Sequence, residues 1–247
     1  VVMSSTWNQK LIEEVGVHIG EDSIASNVAG WYAPGLDIHR SPYSGRNFEY
    51  FSEDGYLTGI IGAAEMKGVR SMGVIAYMKH FALNDQETNR YGGAIFANEQ
   101  AIRENCLKGF EYATIRGKAT ALMVAMNRIG TTWAGAHRGL MRDVLRGEWG
   151  FEGMAITDQA SVTAMYYQDM ISGLYAGTDI WLNSNAQLWP LAAVNETIGG
   201  LSQTSVSYKD NNTVNYYIHK AAKNIIYAVS NSNAVKTYTN EITASSG

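Results

Sequence analysis

The apolar run Met154-Ala-Ile156, set between Gly153 and the pair Thr157-Asp158, constrains the fold more than any other stretch of this chain. A short run with no charge and no alternation reads as a strand covered on both faces, as strands of parallel sheets are. Further strands are read at residues 74–78, 119–126 and 179–183, and residues 30–38 read as a strand running into a loop with Pro34 and Gly35 at its exit; helical patterns lie between them. Strands alternating with helices point to βαβ units and a parallel α/β sheet. When such a sheet closes into a barrel, catalytic side chains gather at the carboxyl ends of its strands. Asp158 ends its strand and is the carboxylate this pattern singles out.

The helices follow from periodicity and capping. Trp7, Leu11, Val15 and Ile19 recur every four residues and are expected to form the buried face of the first helix. Others are expected over residues 53–70, 98–116 (Asn98 as N-cap, Gly117 as stop), 136–148, 165–176 and 215–229. Five strands fall short of the eight of a closed βα barrel. The chain also opens on a helix with no strand ahead of it. The expected fold is therefore α/β, a partial (β/α)8-type TIM barrel over residues 1–235 that lacks its first strand or strands. Residues 236–247 read as a polar, frayed tail.

Composition excludes several classes. With 247 residues and 46 % hydrophobic content, the chain can bury one barrel-sized core. A net charge of -4 leaves no basic footprint for nucleic acid. No apolar stretch approaches the roughly 18 uncharged residues of a membrane span. The one cysteine, Cys106, excludes an internal disulfide, and its helical neighbours Ile102 and Phe110 mark it as a packed core thiol. No signal peptide is visible at the N-terminus, and the compartment stays open. Histidines at 18, 39, 80, 137 and 219 lack metal-ligand spacing, and no glycine-rich phosphate cradle occurs, so neither metal nor cofactor is expected.

Polar segments after the strands carry the chemistry. In the loop 37–54, Arg40 and Arg46 are interspersed with Glu49, Glu53 and Asp54. Arg40 and Glu49 read as a salt-bridged rim. Arg46 follows Gly45, a small neighbour that lets a guanidinium reach into a cleft with a forked pair of donors. Lys79-His80 ends a strand and suits the binding of hydroxyls or carboxylates. Residues 84–90 form a polar loop that fits a rim or a substrate contact equally well.

Four of these segments resemble glycoside hydrolase family 3, the β-glucosidase, β-xylosidase and exo-glucanase family. They are Trp31-Tyr-Ala-Pro-Gly-Leu-Asp-Ile-His-Arg40, Gly45-Arg-Asn-Phe-Glu-Tyr-Phe-Ser-Glu-Asp54, Lys79-His-Phe-Ala-Leu-Asn84 and Leu145-Arg-Gly-Glu-Trp-Gly-Phe-Glu-Gly153 running into Thr157-Asp158. The resemblance implies that Asp158 is the catalytic nucleophile of a retaining glycosidase. It implies that Arg46, Lys79 and His80 bind the hydroxyls of the sugar at the -1 subsite, and that Met123 lines that subsite. Lys79 and Arg46 are then expected close enough to keep Asp158 ionised. Met126 and Gln159 stand where the family places aromatic residues, which removes aromatic surface from the pocket.

The implied activity is hydrolysis of terminal β-D-glycosidic bonds in β-linked glucosides or oligosaccharides by an exo-acting β-glucosidase. A β-xylosidase or arabinosidase, and an impaired sugar-binding homologue, are the alternatives. In the family an aspartate from the early barrel clamps the sugar, and here it would lie upstream of Val1. The general acid/base comes in most members from an α/β sandwich domain, expected here on another segment or chain. A variant group with a histidine acid/base follows Lys-His-Phe with Pro-Gly. Ala82-Leu83 at that place disfavours it. Asp85 and Glu87 are the nearby alternative acids, and both read as rim residues.

Overall fold

The computed structural model describes residues 1–160, 167–182 and 212–234. Its centre is a five-stranded sheet, all parallel: β1 (Gly30–Trp31), β2 (Ile75–Phe81), β4 (Ala121–Val124), β7 (Met154–Gln159) and β8 (Ile180–Leu182), adjacent in that order. The strands are continuous apolar runs because both of their faces are covered, and β4 is buried along its whole length. Tyr77, Met78 and Phe81 pair with Ala121, Leu122 and Val124, while Ala121 to Val124 pair with Met154 to Thr157. That register brings the carboxyl ends of β2, β4 and β7 side by side.

Helices pack around the sheet. Asn8 caps α1 (Gln9–Ala25), its Oδ1 accepting from the Leu11 amide at 3.1 Å. Asp54 caps α2 (Gly55–Ser71), accepting from Tyr56 at 2.7 Å and Leu57 at 3.3 Å. The buried face of α1 differs from the one its hydrophobic spacing suggests. Trp7 is 75 % and Leu11 41 % exposed, whereas Ile12, Gly16 and Gly20 are buried. Close approach is the reason: a Cβ on Gly16 would stand 2.3 Å from the Glu65 carbonyl oxygen, and one on Gly68 would stand 2.1 Å from that of Glu13. The two backbones meet along a glycine seam, and a hydrophobicity pattern gives glycine no weight.

The segment 98–116 is helical but not uniformly α. Asn98 caps a short turn at Glu99–Ala101, accepting from Ala101 at 2.8 Å; a π-helical turn follows at Ile102–Cys106, then α3 (Lys108–Ile115). The expected helix at 136–148 is α4 (Gly139–Glu148), wound as a π-helix throughout. Cys106 is half-buried against the core, and burial pushes its thiol up to about 11. Then come α5 (Met170–Ala176) and α6 (Asn212–Ser230). The polar tail 236–247, residue 235, the first two residues of the expected helix at 165–176 and the last of the strand at 179–183 lie outside the described residues.

A second sheet is not legible in the sequence. It joins β3 (Ala94–Ile95), β5 (Arg128–Ile129) and β6 (Thr132–Trp133), with β3 parallel and β6 antiparallel to β5. Two-residue strands carry no readable period. This small sheet follows the carboxyl ends of β2 and β4, and the Trp133 indole N–H ties it to the Ala125 carbonyl at 2.9 Å.

Candidate active site

The loops after β1 and β2 meet the ends of β4 and β7 in one line of alternating charge. Lys79 Nζ lies 2.7 Å from Glu49 Oε1. Glu49 Oε2 takes the Arg46 guanidinium at 2.6 Å from Nη2 and 2.7 Å from Nε. Arg46 Nη1 reaches Glu87 Oε1 at 3.5 Å, and Glu87 Oε2 accepts from Arg90 Nη1 at 2.8 Å. Arg90 Nη2 then donates to Asp158 Oδ2 at 2.8 Å. On its other side the same oxygen faces His80 Nε2 at 3.7 Å. Half-buried pairs in such a line screen one another from water and hold each other's rotamers, so they count for more than isolated surface pairs.

Each expected residue has a definite place in this arrangement. Asp158 is the penultimate residue of β7, its side chain 14 % exposed and its Oδ1 2.7 Å from the Gln159 amide. His80 is buried on β2, with Lys79 half-buried beside it. Arg46 sits in the loop after β1. Met123 is buried on β4, paired with Ile156. Met126 is buried just beyond β4, and its Sδ accepts from Arg90 Nε at 3.2 Å and Nη2 at 3.0 Å. Gln159, half-buried, ends β7. The Tyr167 hydroxyl donates to the Met126 carbonyl at 2.8 Å and stacks its ring under Arg128, tying the small sheet to this end.

The electrostatics differ from expectation in one respect. Lys79 and Arg46 close on Glu49 rather than on Asp158, and the cation in contact with Asp158 is Arg90. Burial alone would raise the Glu49 carboxyl, but Lys79 and then Arg46 outweigh it and hold Glu49 below the usual carboxylate range. Arg46 is raised: burial works against its charge, and the negative groups around it, Glu49 and Glu87 among them, prevail. Arg40 pairs with Asp85, whose carboxyl burial lifts despite that arginine. Arg40 and Glu49 are thus salt-bridged, as a rim reading requires. Glu87 is held between Arg46 and Arg90.

Sequence reasoning did not single out Arg90, although it lies in the polar loop 84–90. Its partners Asp158 and Met126 are 68 and 36 residues away along the chain. The only local trace is Glu87 three residues earlier, a spacing that pairs charges on a turn. Among the described residues no group of three or more His, Cys, Asp or Glu side chains is placed to hold a metal ion. No described helix is long and apolar enough to cross a membrane.

Comparison with known proteins bears on this arrangement. The model for the glycosyl hydrolase family 3 N terminal domain matches residues 1–213. A beta-glucosidase of Ruminococcus albus is 43 % identical over 157 residues, covering 64 % of this chain and 17 % of that protein. An exo-alpha-(1->6)-L-arabinopyranosidase of Bifidobacterium longum is 40 % identical over 156 residues, covering 63 % of this chain and 21 % of its own length. Among solved structures, beta-glucosidase 3B of Thermotoga neapolitana in complex with alpha-D-glucose superposes with a TM-score of 0.82 at 33 % identity, over 96 % of this chain and 32 % of that one. The chain therefore spans about a fifth of the length of the curated relatives it matches, 17 % of one and 21 % of the other. The partial TIM-barrel-like α/β fold expected from the sequence is the fold of these structures.

Proposed function

Because the chain belongs to glycosyl hydrolase family 3, we propose that it carries the nucleophile half of the site of a retaining, exo-acting β-glucosidase. The observation that carries this reading is Asp158, a partly accessible carboxylate at a strand's carboxyl end, gripped by Arg90 and faced by His80. In the first step the Asp158 carboxylate attacks the anomeric carbon while the bond from that carbon to the leaving oxygen breaks. The leaving oxygen takes a proton from a general acid, and water later releases the sugar from the glycosyl ester. Arg90 fixes the direction of the carboxylate. Lys79 and Arg46 offer N–H donors to the hydroxyls of the terminal sugar and His80 presents Nε2 to them, with Met123, Met126 and Gln159 as lining.

Retention requires a second carboxyl group about 5 Å from the nucleophile. Among the described residues the nearby acids have other tasks: Glu49 binds Lys79 and Arg46, Glu87 binds Arg46 and Arg90, and Asp85 binds Arg40. We assign the acid/base to a segment outside this chain because the family's usual arrangement supplies it from an α/β sandwich domain. A second reading keeps the mechanism and changes the sugar to a pentose such as arabinose or xylose. It is supported by the arabinopyranosidase among the relatives and by Met126 and Gln159 in place of aromatic residues.

The test uses the complete protein that carries this chain. A 2-fluoro-β-glucoside should label it once, at the peptide containing Asp158, as read by intact and peptide mass. Absence of label with 2-fluoro glucosides and pentosides alike would leave a sugar-binding homologue. Aryl β-glucosides, β-xylosides and α-L-arabinopyranosides rank the sugars. The 247-residue chain alone should turn over the best of them far more slowly than the complete protein. Equal rates would place the acid/base within this chain and make Glu87 the first residue to replace.

A further inference from the structure

Asp37 lies in the loop after β1 and is 2 % exposed, yet among the described residues no lysine or arginine pairs with it. Its carboxylate is occupied by N–H groups from one short segment. Oδ1 accepts from the Asn84 amide at 2.9 Å, and Oδ2 accepts from the His80 amide at 2.8 Å. The same Oδ2 stands 3.4 Å from His80 Nδ1. One buried side chain thus holds both ends of residues 80–84 and the imidazole ring between them. The Tyr50 hydroxyl donates to the Asn84 carbonyl at 3.2 Å, so the lone pair of its oxygen is free to meet His80 Nδ1, 3.4 Å away. Both neighbours of Nδ1 are acceptors, and neither has a hydrogen left to give. Nδ1 therefore carries the proton, and Nε2 is the ring atom turned toward Asp158.

We infer that Asp37 is a positioning residue for the reaction: by fixing the tautomer and angle of His80 it sets where Nε2 stands beside Asp158 and the sugar. The inference rests on Asp158 being the nucleophile. Its physical basis is the one by which a buried aspartate orients a histidine in other catalytic groups, through the second ring nitrogen. Asp37→Asn keeps the shape but has one acceptor oxygen where the carboxylate has two. Its NH2 group must then face an N–H of residue 80 or 84, and the ring shifts. A displacement of about 1 Å in a catalytic group can cost about 100-fold in rate.

The experiment is a cycle in the complete protein: wild type, Asp37→Asn, His80→Ala and both together, with native folding checked by circular dichroism. Rates of 2-fluoro-glycoside trapping are read alongside kcat and KM for an aryl glycoside. Asp37→Asn should slow trapping by about 10- to 100-fold. The double variant should be no slower than His80→Ala, since a residue acting through His80 has nothing left to position. Additive losses, or unchanged trapping in Asp37→Asn, overturn the inference. If Asp37→Asn does not fold, a neutron structure of the wild-type protein decides. Deuterium on His80 Nδ1 directed at Asp37 is the expected result, and a bare Nδ1 overturns it. A wild type that no 2-fluoro-glycoside labels would remove the glycosidase reading and this inference with it. A labelled wild type beside an unaffected Asp37→Asn would remove the inference alone.

Discussion

Two aspartate–arginine pairs stand at opposite ends of the same parallel sheet, and their surroundings differ in a way that separates chemistry from stability. At the carboxyl ends, Asp158 meets Arg90 at 2.8 Å and stays 14 % exposed, with His80 near the same oxygen. At the amino ends, Asp179, just ahead of β8, meets Arg146 at 2.9 Å and its side chain is 2 % exposed. Asp179 also accepts from the Ala155 amide at 2.8 Å and from Asn224 Nδ2 at 2.9 Å. Arg146 in turn donates to the carbonyls of Gly153 and Gly177. Burial pushes the Asp179 carboxyl up to about 6, against the pull of Arg146, Ala155 and Asn224. The inner pair is closed on itself and ties β7, β8, α4 and α6 together. The outer pair keeps one side open, which the nucleophile proposed at Asp158 needs and a structural carboxylate does not.

The sharpest way to break this contrast is to neutralise each acid in turn. Asp158→Asn in the complete protein should reduce turnover of its best aryl glycoside by at least about 10³-fold, with little change in melting temperature, because the replacement is nearly isosteric. Wild-type turnover in that variant would remove Asp158 from the mechanism. Asp179→Ala should do the reverse. Leaving Arg146 buried without its partner is expected to cost about 3–5 kcal/mol in urea unfolding, while activity per folded molecule persists. A stable Asp179→Ala variant that has lost turnover would erase the distinction between the two ends.

A smaller effect should come from Glu65, an acid with no part at either end. It is buried on α2, and burial raises its carboxyl from 4.5 to about 7. A folded state that binds the proton more tightly than the unfolded chain has this stability in full below about pH 4.5 and loses it as pH rises through about 7. The loss amounts to at most about 3 kcal/mol. In Glu65→Gln that part of the pH dependence should vanish, so the variant gains on the wild type between pH 4.5 and pH 8 in urea midpoints. Parallel curves for the two proteins would show that Glu65 does not titrate in this range.

The alternation of strand and helix was legible because strands covered on both faces leave apolar runs, and β2, β4, β7 and β8 fall on four of them. The cap Asn98 was legible, since capping acts over two or three residues, whereas the reading of residues 53–70 as helix took in Asp54, which is the cap of α2. The buried face of α1 was not, because the packing that selects Ile12 over Leu11 is a glycine seam shared with α2. The π-helical winding of Ile102–Cys106 and of α4 was also hidden, and nothing in these residue types accounts for it. Motifs singled out Arg46, Lys79, His80 and Asp158 as candidates, and the structure brings them together; the motifs did not single out Arg90 or Asp37. Arg90 meets Asp158 across 68 residues, and Asp37 meets His80 across 43.

By itself, the sequence determined the parallel α/β class, the end of the sheet at which Asp158 stands, and the family. These follow from local hydrophobicity, capping and short motifs, interactions that act within a few residues. Only the tertiary structure decided which cation each carboxylate meets: Lys79 and Arg46 turn to Glu49, Arg90 closes on Asp158, and Asp37 takes the back of His80. Charges choose partners by distance and burial in three dimensions, falling off over a few ångströms. Spacing along the chain records the i,i+3 pairs Arg46–Glu49 and Glu87–Arg90, but not the contacts made across thirty residues or more.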